Sequence, residues 1–343
     1  MTAGPADPGR TEQDRADVRD LLEKGLLDLP LPGRGRTSER LSRLAALGES
    51  DLVTARLAEA HTDAVAILAD LDASAGTGGG RAQLWGVWAA APPQSPLRGE
   101  RVAGTAGGAP LEQSWTLTGP KPWCSGATVV DRALLTAETD DGYRLFAVDP
   151  RHPGVTVRAS RWAGTGMKGS DTCDLDLVGV PARAVGGPDA YLHRPGFWWG
   201  AAGVGAVWLG GARRVSRTLE HAAARHGGEL VLASLGRVDA AQHAAWCALV
   251  ETARLADSAA QVASARLAAA RARAAVETAV EVTLLETARA TGPGPLATDA
   301  DHARHVADLQ VYVRQSHGDR DLAVLGGLVV AWRAAPVLPE DGP

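Results

Sequence analysis

The sequence predicts an α+β protein in which a helical segment, a β-rich segment and a second helical segment follow one another along 343 residues. Three observations support this order. Apolar residues recur at helical spacing before residue 80, apolar and polar residues alternate in the middle, and long Ala-rich stretches with few breakers follow from about residue 191. Because helices and strands are segregated, the pattern argues against a doubly wound α/β sheet.

The first helical segment is predicted to cover residues 17–80, after a polar and disordered tail at residues 1–16. Leucines recur at three-residue spacing from Leu41, and LVTARLAEAHTDAVAILADL from Leu52 keeps an apolar face at i, i+3 and i+4. The turn-rich segment Ser74–Gly80 indicates a domain boundary.

The middle segment, residues 81–187, is predicted to be a β-domain. β-branched and apolar residues stand between turn signals, as in Arg132–Ala137. Asp140–Gly142 predicts a hairpin turn, because glycine adopts positive φ without steric cost. Apolar and acidic residues alternate from Cys173 to Leu177, which is typical of a strand with one solvated face.

The last segment, residues 188–343, is predicted to be a helical bundle. A turn at Gly292–Pro295 ends its longest helical stretch, and Thr298 or Asp299 is expected to cap the next helix. The predicted helices are Gly200–Ala224, a long helix over Val238–Arg273 that continues after little or no interruption through Ala274–Ala290, a helix from residue 299 to about Arg314, and Asp321–Trp332.

Composition excludes several classes of function. The net charge of −5 and the isoelectric point of about 6.0 provide no basic field for nucleic acid. Cys124, Cys173 and Cys247 lack metal-ligand spacing, so no metal is expected, and their low, odd number suits a reducing compartment. The polar N-terminus lacks the apolar core of a signal peptide, and no long uncharged apolar run predicts a membrane span. We therefore expect a cytoplasmic protein.

The chain resembles the acyl-CoA dehydrogenase family from about Leu52 to Trp332. The resemblance implies an N-terminal helical domain, a middle β-barrel-like domain and a C-terminal four-helix bundle. Four segments carry it: LWGVWAAAPP from Leu84, LTGPKPWCSGA from Leu117, GTGMKGSDTCDLDLVGVP from Gly164, and AAGVGAVWLGGARRV from Ala201.

The resemblance implies FAD as cofactor and assigns candidate residues to it. Trp123 would shield one face of the flavin, and Ser125 would hydrogen-bond near its N5 and O4 edge. Ala89 and Ala90 stand where the family has its flavin-cradling loop, and Arg225 would reach the FAD pyrophosphate of a neighbouring subunit. These residue types suit a flavin, which needs a flat apolar wall, a hydrogen bond at N5 and cations for its phosphates. Taken singly, each is also common elsewhere: tryptophan in a core, serine on a strand surface, arginine in an ion pair.

The sequence departs from the family at the catalytic base. Family dehydrogenases use a glutamate late in the bundle, and here Gln315, Ser316 and His317 occupy that position without a nearby Glu. The family's alternative location corresponds to GFWWGAA from Gly196, which also lacks a carboxylate. Ala90, Ala91 and Pro92 replace the Thr-Glu that commonly follows the first strand, which puts one flavin hydrogen bond in doubt.

His317 is the candidate catalytic residue, because an imidazole titrates near neutral pH. Flavin-dependent monooxygenases on the same fold often place a histidine near this loop. The alternative interpretation is a residue at a helix N-terminus, next to Asp319 as cap. Asp171 is interpreted as a turn residue rather than an acid catalyst.

Three hypotheses follow. The first is a flavin-dependent oxidoreductase that oxidises a CH–CH bond of an acyl thioester or a related small substrate, with acyl-CoA as a candidate. The second is a flavin-dependent monooxygenase on the same fold, and the third is a non-catalytic subunit that lost the glutamate. The resemblance implies a homodimer or homotetramer, and a flavin reductase or an electron-transfer protein as a further partner.

Overall fold

The computed structural model describes residues 8–71, 83–90, 97–102, 114–258 and 262–334. Three helices come first: α1 (Pro8–Glu23), α2 (Thr37–Ser50) and α3 (Leu52–Leu71). The strands are β1 (Trp85–Trp88), β2 (Arg98–Arg101), β3 (Ser114–Cys124), β4 (Arg132–Thr139), β5 (Gly142–Val148), β6 (Val155–Val157) and β7 (Cys173–Val185). The helices that follow are α4 (Ala190–His193), α5 (Pro195–His226), α6 (Glu229–Asp257), α7 (Val262–Thr291), α8 (Gly294–Thr298), α9 (Ala300–Tyr312) and α10 (Asp319–Ala334).

The strands form one sheet that closes on itself. Its order is β1-β4-β2-β3-β7-β5, and β5 also pairs with β4, so that β4, β2, β3, β7 and β5 make a ring. β1 pairs with β4 in parallel, and β6 pairs with β7. The predicted α+β fold with a barrel-like middle domain is therefore confirmed.

The β4–β5 hairpin has the predicted turn. Thr139 and Gly142 are the last paired residues, and Gly142 has φ of 125°, a value that a side chain disfavours. Phe146 on β5 is fully buried and its ring meets that of Trp115 on β3, with centroids 5.3 Å apart. Aromatic pairs of this kind stabilise a sheet beyond their buried area.

Two small residues allow α2 and α5 to pack at very short distance. A Cβ added at Gly210 on α5 would overlap the carbonyl oxygen of Ala45 on α2, and one at Gly48 would overlap the carbonyl oxygen of Val207. Beneath this contact, the main bundle core includes the fully buried Trp208. The close approach of two backbones explains why glycine stands here inside a helix, where it otherwise lowers stability.

Helix α3 contacts both the sheet and the bundle. On one face, Leu57 packs against Gly126, and His61 Nδ1 accepts a hydrogen bond from Trp85 N at 3.2 Å. On the other face, the carboxylate of Asp63 lies against Gly200 on α5. A single helix thus joins the two halves of the molecule.

Two predictions differ from the structure. The predicted tail, residues 1–16, includes the first half of α1, which begins at Pro8; residues 1–7 lie outside the described part. The single long helix predicted over Val238–Arg273 was wrong, because α6 ends at Asp257 and α7 begins at Val262. The Asp257 side chain accepts hydrogen bonds from Gly35 N and from Thr37 N and Oγ1. These tertiary contacts hold the end of α6, and no local sequence pattern predicts them.

Other helix limits agree with the sequence. α7 ends at Thr291, before the predicted turn, and the Asp299 side chain caps α9 by accepting hydrogen bonds from Asp301 N and His302 N. The domain limits at residues 80 and 187 stay predictions, and the joint Ser74–Gly80 lies outside the described residues.

Candidate functional site

Trp123 lies at the end of β3 in a conformation that is unusual for a tryptophan. Its φ is 62°, and 60% of the residue is exposed, so it is not a core tryptophan. Its ring meets the edge of Trp162, with centroids 6.3 Å apart and an interplanar angle of 84°. Its backbone N–H donates to Asp174 Oδ1 at 3.3 Å. The turn therefore presents a flat apolar surface to the outside of the sheet.

Three hydroxyl groups form a chain next to this tryptophan. Ser125 Oγ lies 2.9 Å from Thr172 Oγ1, which lies 2.8 Å from Ser170 Oγ. Two hydrogen bonds use two of the three hydroxyl hydrogens, so the trio retains one hydrogen that it can donate to an acceptor atom of a ligand. Ser125 and Thr172 are half-buried, and Ser170 is buried.

Backbone strain is concentrated at the same turn. Within the described residues, three of the four non-glycine residues with positive φ are Trp123, Met167 and Asp171. The two strained segments are joined by hydrogen bonds from Gly126 N to Ser170 O at 2.8 Å and from Ala127 N to Asp171 O. Such residues cost free energy, and they cluster where a binding function requires a fixed geometry.

Asp171 has the structural role that the sequence predicted for a turn residue. Its Oδ2 accepts hydrogen bonds from Thr128 N at 2.7 Å and from Thr128 Oγ1 at 2.9 Å. The carboxylate is thereby engaged in holding two turns together.

Lys121 connects the candidate flavin loop to the sheet. Its buried ammonium group donates to Ala90 O and Thr136 O, both at 2.9 Å, and to Thr136 Oγ1 at 3.1 Å. Thr136 Oγ1 in turn donates to Ala89 O at 3.3 Å. Burial away from water lowers the pKa of Lys121 to about 8. Lys121 precedes Trp123 by two residues on β3. Its hydrogen bonds, directly to Ala90 and through Thr136 to Ala89, therefore tie these two residues to the strand that carries Trp123. Ala91 and Pro92 lie outside the described residues.

The loop that precedes β7 is anchored to helix α9. Trp162 Nε1 donates to Gly166 O at 2.9 Å, and Met167 N donates to Asp308 Oδ1 at 2.5 Å. A Cβ at Gly166 would overlap the carbonyl oxygen of Ala307, so only glycine fits this approach. The sheet side of the candidate site is therefore joined to the bundle at α9.

The loop after α9 contains Gln315, Ser316 and His317, which stand where the resemblance places the expected glutamate. His317 is exposed, its Nδ1 lies 3.4 Å from Asp321 Oδ1, and its backbone N donates to Asp321 Oδ2 at 3.1 Å. Ser316 is buried, and its hydroxyl donates to Glu277 Oε2 on α7 at 2.5 Å. Gln315 is exposed at the end of a short 3-10 turn, Val313–Gln315.

The predicted site residues are only partly brought together. Trp123 and Ser125 share one turn, and Ala89 and Ala90 are tied to it through Lys121. Arg225 lies exposed in the last turn of α5, and His317 lies just before α10. Contact of Arg225 or His317 with a cofactor stays a prediction.

Sequence reasoning missed three residues of this region. Thr172 follows Asp171, which the sequence places in a turn, and Lys121 lies inside the motif LTGPKPWCSGA. Both residues could therefore have been identified from their local sequence. Glu277 had none, because it precedes Ser316 by 39 positions and only the fold brings the two together.

A second polar region lies between α5 and the start of α9. It encloses a cavity of about 290 Å³. Arg214 pairs with Asp301, and Thr218 Oγ1 lies 2.9 Å from His302 Nδ1. These four lining groups thus already have partners in the protein. The cavity is lined by Arg214, Arg217, Thr218, Glu220, His221, Asp299, Asp301, His302 and His305.

Comparison with known proteins agrees with the sheet geometry. Residues 100–180 match the family described as acyl-CoA dehydrogenase, middle domain. Over 149 residues, 40% of this chain, the sequence is 33% identical to the acyl-CoA dehydrogenase FadE27 of Mycobacterium tuberculosis. This match spans a third of that relative's length.

Solved structures share the fold over nearly the whole chain. Methanesulfinate monooxygenase MsuC of Pseudomonas fluorescens has a TM-score of 0.78 at 18% identity, covering 95% of this chain and 94% of its own. Glutaryl-CoA dehydrogenase of Mycobacterium smegmatis has a TM-score of 0.78 at 17% identity, covering 96% and 91%. Dibenzothiophene monooxygenase TdsC of Paenibacillus sp. A11-2 has a TM-score of 0.76 at 18% identity, covering 94% and 93%.

Proposed function

We propose that this chain, which belongs to the acyl-CoA dehydrogenase family, is a flavin-dependent oxidoreductase. Its substrate would be an acyl thioester or a related small molecule, oxidised at a CH–CH bond. The observation that carries the proposal is the turn at Trp123 and Ser125, where an exposed aromatic ring stands beside a hydroxyl chain with one hydrogen to donate.

The residues at this turn fit a flavin. Trp123 would cover one face of the ring system, and the hydroxyl of Ser125 or Thr172 would donate to its polar edge. Lys121 would fix the strand end at Ala90 that borders the ring, and Arg225 would hold the pyrophosphate from a neighbouring subunit. When bound, the flavin would supply the two-electron acceptor that no side chain provides. FAD is the expected form, and an FMN complex of TdsC makes FMN the alternative to test.

We further propose that the chain assembles as a homo-oligomer through α10. None of the residues of this helix is buried, although Leu322, Val324, Val330 and Trp332 are large and apolar. These side chains lie on different sides of α10, so the helix as a whole, rather than one stripe of it, exposes apolar surface of the kind that marks an interaction site. A second copy offers the same helix, so that a two-fold contact would cover apolar surface of both.

A monooxygenase on the same fold is the second candidate function. Two points support it: the resemblance places the family's glutamate where this chain has Gln315, Ser316 and His317, and two fold neighbours, MsuC and TdsC, are monooxygenases. The exposed His317, paired with Asp321, would serve as the proton-exchanging group in that reaction. A flavin reductase would then be the partner, whereas an electron-transfer protein would serve a dehydrogenase.

The visible absorbance spectrum of the purified protein tests the flavin directly. We expect a flavin spectrum, or its appearance upon addition of FAD or FMN, and a loss of affinity of at least about tenfold in Trp123→Ala and in Ser125→Ala. Leu230→Ala removes another exposed apolar side chain, at the start of α6, and should leave the affinity unchanged. A wild-type protein that binds neither flavin would refute an oxidoreductase and favour a non-catalytic subunit.

Oxygen dependence separates the two enzyme hypotheses. A dehydrogenase bleaches its flavin with an acyl thioester under anaerobic conditions. A monooxygenase instead forms product only with oxygen and added reduced flavin, and in His317→Ala the oxidation of the flavin should no longer be coupled to product formation.

Light scattering coupled to gel filtration tests the assembly, and Val330→Glu should shift an oligomer toward the monomer.

A further inference from the structure

Lys121 on β3 is a buried lysine whose ammonium group pairs with no carboxylate in the described part of the chain. The residue is 2% exposed, although lysines are rarely buried without a charged partner. Lys121 pairs with Leu175 of β7 and the next pair is Cys124 with Cys173, so that Trp123 lies in the irregular step between the two pairs. The backbone of Lys121 is therefore fixed beside the candidate flavin turn, while its side chain reaches β1 and β4.

The ammonium group of Lys121 and the hydroxyl group of Thr136 form a network in which every hydrogen has an acceptor. Lys121 Nζ donates to Ala90 O and Thr136 O at 2.9 Å and to Thr136 Oγ1 at 3.1 Å. Thr136 Oγ1 donates to Ala89 O at 3.3 Å. Three ammonium hydrogens and one hydroxyl hydrogen thus serve four acceptor oxygens. A neutral amine has one hydrogen fewer, so that one of the four contacts would be lost.

The four contacts are not equally restrained. The parallel pairing of β1 with β4 ends at Trp88, so that Ala89 and Ala90 lie beyond the paired residues. Thr136, in contrast, is paired inside the β4–β5 ladder. The contacts that Lys121 and Thr136 make with the end of β1 are therefore the ones that can open.

The same end of β1 lies against the candidate flavin turn. Trp88 is 1% exposed, and its Nε1 donates to Ser125 O at 2.9 Å. Ala89 and Ala90 directly follow this anchored tryptophan, and Ala90 is exposed. The main chain that the flavin would border is thus held from two sides, by the contact of Trp88 with Ser125 and by Lys121.

We propose that Lys121 is a positioning residue of the flavin site, which holds the end of β1 beside the Trp123 turn and gives full flavin affinity only when all three ammonium hydrogens are present. The inference rests on the proposed flavin-dependent function and adds a control of that site by pH.

The surroundings of Lys121 place this control in an accessible pH range. Burial lowers the pKa of Lys121 to about 8. The titratable group that faces it is the thiol of Cys124 on the same strand, whose pKa burial raises, so that the thiol stays neutral. From β1 and β4 the ammonium group is faced by main-chain oxygens and the hydroxyl of Thr136.

The alternative role of Lys121 is purely structural, with contacts that stabilise the sheet and do not affect the flavin specifically. The two roles differ in the sign of their pH dependence. Because the ordinary pKa of 10.5 applies to the unfolded chain, the stability due to this group rises with pH above about 8. An affinity that followed stability would stay constant or rise with pH, whereas a positioning role predicts that it falls.

The experiment measures the Kd of FAD and of FMN from flavin absorbance at several pH values between about 7 and about 9.5. The Kd of wild type should increase about fivefold over this range, the effect of one lost hydrogen bond. Lys121→Met should bind flavin about fivefold more weakly than wild type at the lowest pH, with no such pH dependence. Ionisation of the flavin itself affects all variants alike, so each pH profile is compared with that of Lys121→Met. Lys24→Met changes an exposed lysine on α1 and should match wild type throughout.

Thr136→Val is a second variant, which keeps Lys121 and the shape of its neighbour. It removes one acceptor, so that the two hydrogens of the neutral amine suffice for the main-chain oxygens of residues 90 and 136. Flavin affinity should fall at the lowest pH because Ala89 O loses its donor, but should change less than about twofold with pH. Urea unfolding at the same pH values checks that each variant is folded.

A wild-type Kd that stays constant or decreases as pH rises would overturn the inference. An unaltered pH dependence in folded Lys121→Met or folded Thr136→Val would overturn it as well. These outcomes leave the proposed function standing, because flavin is bound in each of them. Failure of the wild type to bind either flavin at any of these pH values would instead refute the proposed function, and the inference with it.

Discussion

The carboxylate of Asp308 accepts a hydrogen bond from the backbone N–H of Met167 at 2.5 Å, which joins helix α9 to the strained turn before β7. Asp308 also pairs with Arg304 at 3.1 Å, and its side chain is 2% exposed. Burial raises the pKa of Asp308, opposed by these two partners. A buried acidic residue of the bundle therefore holds the strained turn at Met167.

Asp308→Ala should destabilise the protein by about 1–3 kcal/mol, because it leaves the buried N–H group of Met167 without an acceptor, whereas Arg304 keeps its ion pair with Asp51. Urea unfolding measures the change. Asp301→Ala removes an exposed partner of the same Arg304 and should cost only about 0–1 kcal/mol. Equal effects of the two substitutions would contradict the role assigned to the buried contact.

Lys121→Met should remove a rise in the free energy of unfolding that the wild-type protein shows between about pH 8 and 10.5. The pKa of Lys121 falls from 10.5 to about 8 upon burial. Between pH 8 and 10.5 the unfolded chain binds the proton that the folded protein has released, so this group makes stability rise with pH in that window by roughly 3 kcal/mol. The difference in unfolding free energy between wild type and Lys121→Met should change by that amount.

Lys24→Met is the control for this measurement, since Lys24 is an exposed side chain paired with Asp20 on α1. Its difference from wild type should stay constant over the same pH range. A wild-type curve parallel to that of Lys121→Met would show that the ammonium group is not buried as described.

Glu59→Gln should remove a fall in the free energy of unfolding that the wild-type protein shows as pH rises from about 4.5 to 7. Burial raises the pKa of Glu59 from 4.5 to about 7, against the effect of the nearby Arg56 and with a further rise due to Asp63. Between pH 4.5 and 7 the folded protein keeps a proton that the unfolded chain releases, so stability falls as pH rises through this window, by roughly 3 kcal/mol. The Gln variant lacks this loss and should gain stability relative to wild type at pH 7.

Urea titrations at several pH values between 4.5 and 7.5 measure the effect of Glu59. Arg40 and Arg273 also face this carboxylate and remain charged throughout that range. Glu49→Gln changes a more exposed carboxylate that pairs with Arg217, and should follow the wild-type curve. A constant difference between wild type and Glu59→Gln would disprove the burial of an acidic group on α3.

Gly210→Ala should lower stability by about 1–3 kcal/mol or more, because the added methyl group overlaps the backbone of α2 at Ala45. Gly236→Ala, on the exposed face of α6, meets nothing within 4 Å and should raise stability by about 0.5–1 kcal/mol through its better helix propensity. Thermal unfolding of the two variants should therefore shift in opposite directions. A stabilised Gly210→Ala would mean that α2 and α5 are further apart than described.

Local patterns predicted most of the architecture. The helical spacing from Leu52 corresponds to α3, the Asp140–Gly142 signal corresponds to the β4–β5 turn, and Asp299 caps α9 as expected. These features depend on residues close in sequence, whose backbone preferences can be predicted from the residue types alone. The closure of the sheet was inferred from resemblance, since strand order is not encoded locally.

Features held by distant contacts were not predictable. The break between α6 and α7 has no glycine or proline at Asp257, and depends on the hydrogen bonds of that residue to Thr37. The burial of Lys121 depends on Thr136 of another strand, and the contact of Glu277 with Ser316 spans 39 positions. In each case the side chain is polar and ordinary in its local sequence, and only the tertiary fold gives it an unusual environment.

Helix α3 contacts the sheet through Leu57 and His61 and the bundle through Asp63, which has a consequence for cooperativity. Neither half can open fully without exposing one face of this helix, so the sheet and the bundle should not unfold as separate units. Fluorescence from tryptophans in both halves, such as Trp88 and Trp208, and helical circular dichroism should then report a single coincident transition in urea. A chain built from two architectures would behave as one folding unit because of a single 20-residue helix.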